Sequence, residues 1–260
     1  MAIFELADIT WWDFRYLARS GDRGAVAVLP VGAIEAHGPH LPLGTDVVIA
    51  RAMARSGGEK LARDGYTIFL LPPLAFTAAG FARNFPGTIA LGPETVSATV
   101  VQVGASLKRH GVEVLALANA HFDPGHLAAL HEAARRCREE ENLTVAFPDL
   151  TRKPWAVRLT EEFQSGACHA GRYEGSIVLA EAAELVRRDR MDGLAPNPVS
   201  LKDAIAAGKR TFEEAGGPGG ELAYFGYPSE ATAEEGRKTV EVLGQILRDA
   251  VLSELGATGR

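Results

Sequence analysis

The sequence predicts an α/β fold, a single-domain sandwich over residues 1–260 with a mainly parallel central sheet flanked by helices. Three observations predict it. Short apolar runs alternate with stretches of helical periodicity, the pattern of βαβ units. The first strong run, AVAVLPVG (Ala25 to Gly32), is apolar without a break, as a strand buried on both faces requires. The connections are short to about residue 190, and no linker rich in Pro, Gly or Ser divides the chain.

The elements follow in order. Thr10 is placed to cap a short helix through about Ala18, with Trp12, Tyr16 and Leu17 on one side. The Ala25–Gly32 strand comes next, then a helix from about Val47 to Arg63. YTIFLLPPL (Tyr66 to Leu74) reads as a second strand. The stretch from Pro93 to Gly111 sets Val96, Val100, Val103 and Leu107 on one helical face, between a proline start and a glycine stop. VEVLALANAH (Val112 to His121) is a third strand, and Pro124 opens a helix to about Glu139. LTVAFP (Leu143 to Pro148) is a fourth strand, and Tyr173 to Arg188 a further helix. Thr232 and Glu235 form a capping box for a last helix striped by Val240, Leu243, Leu247 and Val251.

Composition excludes several classes of function. The 260 residues are 47% hydrophobic and 23% charged, ordinary for a globular protein with a good core. A formal net charge of −6 argues against a nucleic-acid partner, which needs a basic footprint. No apolar run reaches the roughly 18 residues of a membrane span. The opening MAIFELADIT lacks the basic start of a signal peptide. Cys137 and Cys168 make no disulfide framework, so a reducing, cytoplasmic setting is expected.

In open α/β sheets, ligands bind beyond the carboxyl ends of the strands. Three polar clusters fall there: Glu35 to Asp46 after the first strand, NAHFD (Asn119 to Asp123) after the third, and HAGRYEGS (His169 to Ser176) before a helix. Glu35 and His37, two residues apart on extended chain, point to the same side, and His121 and Asp123 repeat the spacing. Asp46 returns after a loop stiffened by Pro39 and Pro42. Two imidazoles and three carboxylates suit Zn²⁺ or Mn²⁺ better than a thiolate site would. Asp46 is a candidate bridge between two ions roughly 3.5–4 Å apart. The bland reading of each Glu-x-His or His-x-Asp pair is a polar loop.

LPVGAIEAHGPHLPLGTD resembles the signature of the creatininase (creatinine amidohydrolase) family. The resemblance extends to FPGTIAL, NAHFD, HAGRYEGS and ATAEEGRK, and so to nearly the whole chain. It implies a metal-dependent hydrolase of carbon–nitrogen bonds in cyclic amides, formamides or related rings. Some members open a carbocyclic or sugar-like ring instead, and a non-hydrolytic metal-binding relative is the other class to weigh. The family is commonly hexameric with a two-metal site, so a homo-oligomer, a small-molecule substrate and two ions of Zn²⁺ or Mn²⁺ per chain are expected. Carried over by position, the ligands are Glu35, His37, Asp46 and His121. Asp123 stands where creatininase has a glutamate ligand. Glu174 is the glutamate of the H-A-G-x-x-E string and a sixth candidate ligand. His169 is the histidine of proton transfer, with Glu174 or Asp123 handling the nucleophile's proton in a hydroxide attack on the carbonyl.

Departures from the family pattern bear on substrate. Asp123 is a methylene shorter than glutamate, and Pro124 replaces an asparagine. No tryptophan precedes His169, only Ser165, Gly166, Ala167 and Cys168. Ala79 and Ala82 replace polar residues ahead of the FPGT string. A less aromatic, roomier site is expected, poorly suited to creatinine itself. Phe122, Arg83 and His126 are candidate substrate contacts, although Arg83 also reads as a surface ion pair and His126 as a solvated helix residue. His40 reads equally as a support for a ligand or as structural.

Overall fold

The computed structural model describes residues 2–19 and 22–258. Five strands form one parallel sheet: β1 (Ala2–Glu5), β2 (Ala25–Val31), β3 (Thr67–Leu70), β4 (Val114–Asn119) and β5 (Thr144–Ala146). Their order is β1-β3-β2-β4-β5, so β2 lies at the centre. The helices in chain order are α1 (Trp11–Leu17), α2 (Thr45–Arg63), α3 (Pro93–Arg109), α4 (Pro124–Glu141) and α5 (Glu161–Ser165). After them come α6 (Arg172–Glu181), α7 (Arg188–Met191), α8 (Leu201–Ala206), α9 (Phe212–Ala215) and α10 (Ala233–Thr258).

The alternation of side chains along each strand divides the core in two. Val26 and Val28 of β2, with Val114, Ala116 and Ala118 of β4, face α2 and α10. Ala27 and Leu29, with Leu115 and Leu117, face α3 and α4. Every residue of β2 and β4 is buried, which is why both read as unbroken apolar runs. The stripe Val240, Leu243, Leu247 and Val251 packs α10 onto α2. Thr10 caps α1 in a reciprocal box with Asp13.

Besides the short helices α5, α7, α8 and α9, which were not expected, three elements depart from the sequence reading. Strand β1 was not foreseen. It is a four-residue edge strand that pairs Ile3 with Ile68 and sends Ile3 and Phe4 to opposite cores. Strand β3 stops at Leu70 because Pro72 and Pro73 lack the N–H that a ladder needs. Helix α6 ends at Glu181 instead of Arg188. Beyond it the chain donates the Arg187 N–H to the His40 carbonyl (2.8 Å) and buries Val186 in a satellite cluster with Leu41.

Candidate metal centre

The paired ends of β2 and β4, where Val31 lies beside Asn119, bring the loop after each strand to one place. The first loop carries Glu35 and His37 and returns Asp46 in the opening turn of α2. Gly32 permits that return: a Cβ there would lie 2.7 Å from the Asp46 carbonyl carbon and the Val47 nitrogen. His121 follows β4, and α6 delivers Glu174 from the far side. These five side chains and His169 are all buried.

Each imidazole has one nitrogen against a backbone carbonyl. His37 Nδ1 is 3.1 Å from the Glu35 carbonyl, His121 Nε2 is 2.8 Å from that of Ala78, and His169 Nε2 is 2.9 Å from that of Ala36. A carbonyl accepts only, so the N–H sits on that nitrogen and the other is left bare. The bare nitrogens point at carboxylates. His37 Nε2 lies 3.1 Å from Asp46 Oδ1, 3.5 Å from Glu174 Oε2 and 4.0 Å from Glu35 Oε1. His121 Nδ1 lies 3.1 Å from Asp46 Oδ2 and 3.2 Å from Glu35 Oε1. Glu35 Oε2 has no hydrogen-bond partner.

Lone pairs facing lone pairs demand a cation between them, and the donors form two sets around Asp46. Glu35, Asp46 and His121 converge in one, and His37, Asp46 and Glu174 in the other; a third set joins Glu35 and His37 to His169. Asp46 presents Oδ1 to His37 and Oδ2 to His121, the posture of a bridging carboxylate. Without an ion, protons fill the role. Burial alone would lower the His37 pKa, but the carboxylates of Asp46, Glu174 and Glu35 raise it to about 10. His121 is likewise raised against its burial by Glu35 and Asp46. Burial lifts Glu174 to about 8, with His37 opposing. Burial and the neighbouring His37 push His169 well below the usual imidazole value, so it stays neutral.

Glu35, Asp46, His121, His169 and Glu174 line a cavity of about 660 Å³, as does Phe122. His169 is held between two rings, with centroids 4.4 Å from His37 and 4.3 Å from Phe212.

Other expected residues lie elsewhere. Asp123 is not in the donor sets. It caps α4, with Oδ1 accepting from Gly125 N at 2.8 Å and Oδ2 from Phe81 N at 3.0 Å, so its short side chain is held at the cavity wall. His126 is fully buried behind His121 and faces Asn119 Oδ1 at 2.9 Å, away from the cavity. Arg83 is exposed and does not line the cavity. Ala79 and Ala82 are buried outside the lining as well. The site is not short of aromatic rings: Phe81, Phe122, Phe163 and Phe212 line it, drawn from segments other than the one before His169. His40 is buried edge-on to Tyr224, outside the donor sets. Cys168 lines the cavity as a thiol, its pKa pushed well up by burial.

One supporting group had no signal in the sequence. Glu162, 3% exposed, lies under the start of α6. Its Oε1 accepts from Arg172 N (2.9 Å) and Tyr227 N (2.7 Å), and its Oε2 from Tyr173 N (2.5 Å). It thereby caps the helix that carries Glu174 and ties it to the Tyr227 segment. Gly171 and Gly226 make room, since a Cβ on either would strike the carboxylate. All its partners are main-chain amides, which no side-chain spacing reveals.

A parallel α/β domain with buried carboxylate–imidazole donor sets beyond its strand ends defines a metal-binding hydrolase class. The family model for creatinine amidohydrolase matches residues 7–251, and the chain belongs to the creatininase family. It is 31% identical over 230 residues to a mycofactocin precursor peptide peptidase of Mycobacterium ulcerans (strain Agy99), covering 86% of this chain and 82% of that one. It is 26% identical to a creatinine amidohydrolase of Pseudomonas putida, covering 97% and 98%. A crystal structure of creatinine amidohydrolase (creatininase) superposes with a TM-score of 0.73 at 25% identity over 96% of each chain. Among the described residues no helix is long and apolar enough to cross a membrane.

Proposed function

We propose that this chain hydrolyses a carbon–nitrogen amide bond in a peptide-like substrate, using two divalent ions, Zn²⁺ or Mn²⁺. The observation that carries the reading is the pair of donor sets sharing Asp46, whose residues line a 660 Å³ cavity. Glu35, Asp46 and His121 would hold one ion; His37, Asp46 and Glu174 would hold the other. Bound there, such ions acidify water and polarise a carbonyl. His169 takes up the proton of the attacking water at Nδ1, its Nε2 proton staying on the Ala36 carbonyl. The stacked rings of His37 and Phe212 keep its plane as it passes that proton to the leaving nitrogen. The C–N bond breaks, leaving an acid and an amine.

A cavity of this volume is of the size that takes drug-sized ligands, which favours a peptide segment over a small ring. The similarity to mycofactocin precursor peptide peptidases supports the same choice. The cyclic-amide reading rests on similarity to creatinine amidohydrolase along nearly the whole chain. Turnover of short peptides, formamides, cyclic amides and creatinine by Zn²⁺- and Mn²⁺-loaded protein, followed by product mass, decides between them. We expect peptide cleavage, with creatinine below about 10⁴ M⁻¹s⁻¹, the lower end of ordinary enzyme efficiency. Efficient creatinine turnover without peptide cleavage would reverse the choice.

A further inference from the structure

Resting on that reading, we infer that the cavity carries an anion subsite built on Asp149, taking a carboxylate of the substrate. Asp149 is 4% exposed, and both its oxygens are committed. Oδ1 accepts from Thr151 N (3.0 Å) and Thr151 Oγ1 (2.6 Å). Oδ2 pairs with Arg152 Nε at 3.0 Å and with His131 Nε2 at 2.8 Å. One buried carboxylate therefore fixes three cavity-lining residues, His131, Thr151 and Arg152. Arg152 is held through Nε alone, its side chain is 68% exposed, and its two terminal nitrogens are left for a planar acceptor.

Lys153, next in the chain, and Lys202, on α8, line the same cavity, and neither has an ion-pair partner among the described residues. Arg152, Lys153 and Lys202 are the lysine and arginine side chains of the lining, in a chain of net charge −6, and the Asp149 carboxylate is already committed. Among the ion ligands, Glu35, Asp46 and Glu174 add carboxylates to the same lining, and Phe122, Leu127, Val157, Phe163, Leu201 and Ile205 give the cavity an apolar wall. These three kinds of surface suit an acyl amide with an apolar side chain and a free carboxylate, as at a peptide C-terminus.

Equilibrium binding of N-acetyl-leucyl-phenylalanine and of its C-terminal amide to the Zn²⁺-loaded protein tests this. We expect the acid to bind at least about tenfold more tightly at low salt, with the preference shrinking as salt screens it. R152Q/K153Q/K202Q should bring the acid to the affinity of the amide while leaving the amide's affinity and the metal content unchanged. D149N should lose part of the preference by releasing Arg152. Equal affinity for acid and amide overturns the subsite. So does a preference that survives the triple substitution, which would place the carboxylate on the ions. A preference that the triple substitution abolishes, with no turnover of either peptide, leaves the subsite standing and removes the reaction proposed above.

Discussion

Replacing Glu162 by Gln is expected to weaken the metal centre from a distance. The isosteric amide keeps one oxygen, which can still accept from Arg172 N and Tyr227 N. Its NH₂ then faces Tyr173 N, 2.5 Å away in the wild type, donor against donor. A hydrogen bond to a charged group contributes about 1.5–3 kcal/mol, and a neutral one about 1. Losing one bond outright and the charge on two others would cost several kcal/mol if simply added. The burial that raises the Glu162 pKa shows that holding this charge is itself unfavourable, which offsets part of that sum. A net loss of about 2 kcal/mol follows, or roughly 4–8 °C in melting temperature for a domain of this size. The loosened start of α6 also frees Glu174, whose Oε2 is held by Ala170 N at 2.6 Å. Residues that support ligands typically cost 10–100-fold in metal affinity when changed. We therefore expect that loss at the His37–Asp46–Glu174 position, read by chelator competition alongside a melting curve. A lower melting temperature with both metal affinities intact would reduce Glu162 to a structural cap. Unchanged values of both would refute the reasoning.

His121→Ala should lose metal and activity together, with affinity falling by more than the 10–100-fold typical of a supporting residue; two ions per chain at full activity would remove His121 from the ligand set. His169→Ala should keep both ions but lower kcat by roughly 10²–10⁴-fold, the contribution of a positioned acid–base group; collapse of metal stoichiometry instead would make it a ligand. Metal loading should release protons, because His37, with a pKa raised to about 10, is imidazolium in the ion-free site at neutral pH and must become neutral to bind, and the carboxylates of Glu35 and Asp46 raise His121 in the same direction. Affinity should therefore rise with pH, about tenfold per unit for each proton released, until His37 loses its proton near 10. Titration calorimetry in two buffers of different ionisation enthalpy counts the protons, and a pH-independent affinity with none released would contradict the protonation assigned here.

The fold was largely legible because each buried strand is an apolar run and each long helix has its own start and stop. The buried carboxylate–imidazole cluster was legible where spacing and strand ends coincide, as for Glu35 and His37. Glu174 was placed by resemblance, since nothing local brings α6 to the end of β2. The Asp123 ligand expectation came from matching a glutamate to its shorter homologue. In the structure that carboxylate accepts from the amides of its own helix start as the N-cap of α4, a role that the resemblance did not suggest. His126 sits one turn further on, but the direction of α4 turns it behind His121. Phe212 was invisible because its ring contact with His169 joins residues 43 positions apart, across α6 and the short α7 and α8.

The buried charges explain why so much of the surrounding chain is spent on holding a few side chains still. Glu35, Asp46 and Glu174 bring three carboxylates into a space with almost no exposure, where unpaired charge is strongly unfavourable. In the ion-free protein, protons on His37, His121 and Glu174 relieve the repulsion. The raised imidazoles then contribute stability that is complete below about pH 6.5 and is lost as pH climbs toward the His37 value of about 10. Asp46, whose depressed pKa reflects His37 and His121 acting against its burial, contributes stability that is present above the ordinary carboxyl range and lost in acid. Bound cations replace those protons and remove the dependence on imidazole charge. The carbonyls of Glu35, Ala78 and Ala36 serve either state, because each keeps an imidazole N–H in place and its partner nitrogen aimed at the carboxylates. Rigid backbone acceptors, rather than the acidic residues alone, are thus what distinguish a preorganised ion site from a cluster of buried acids.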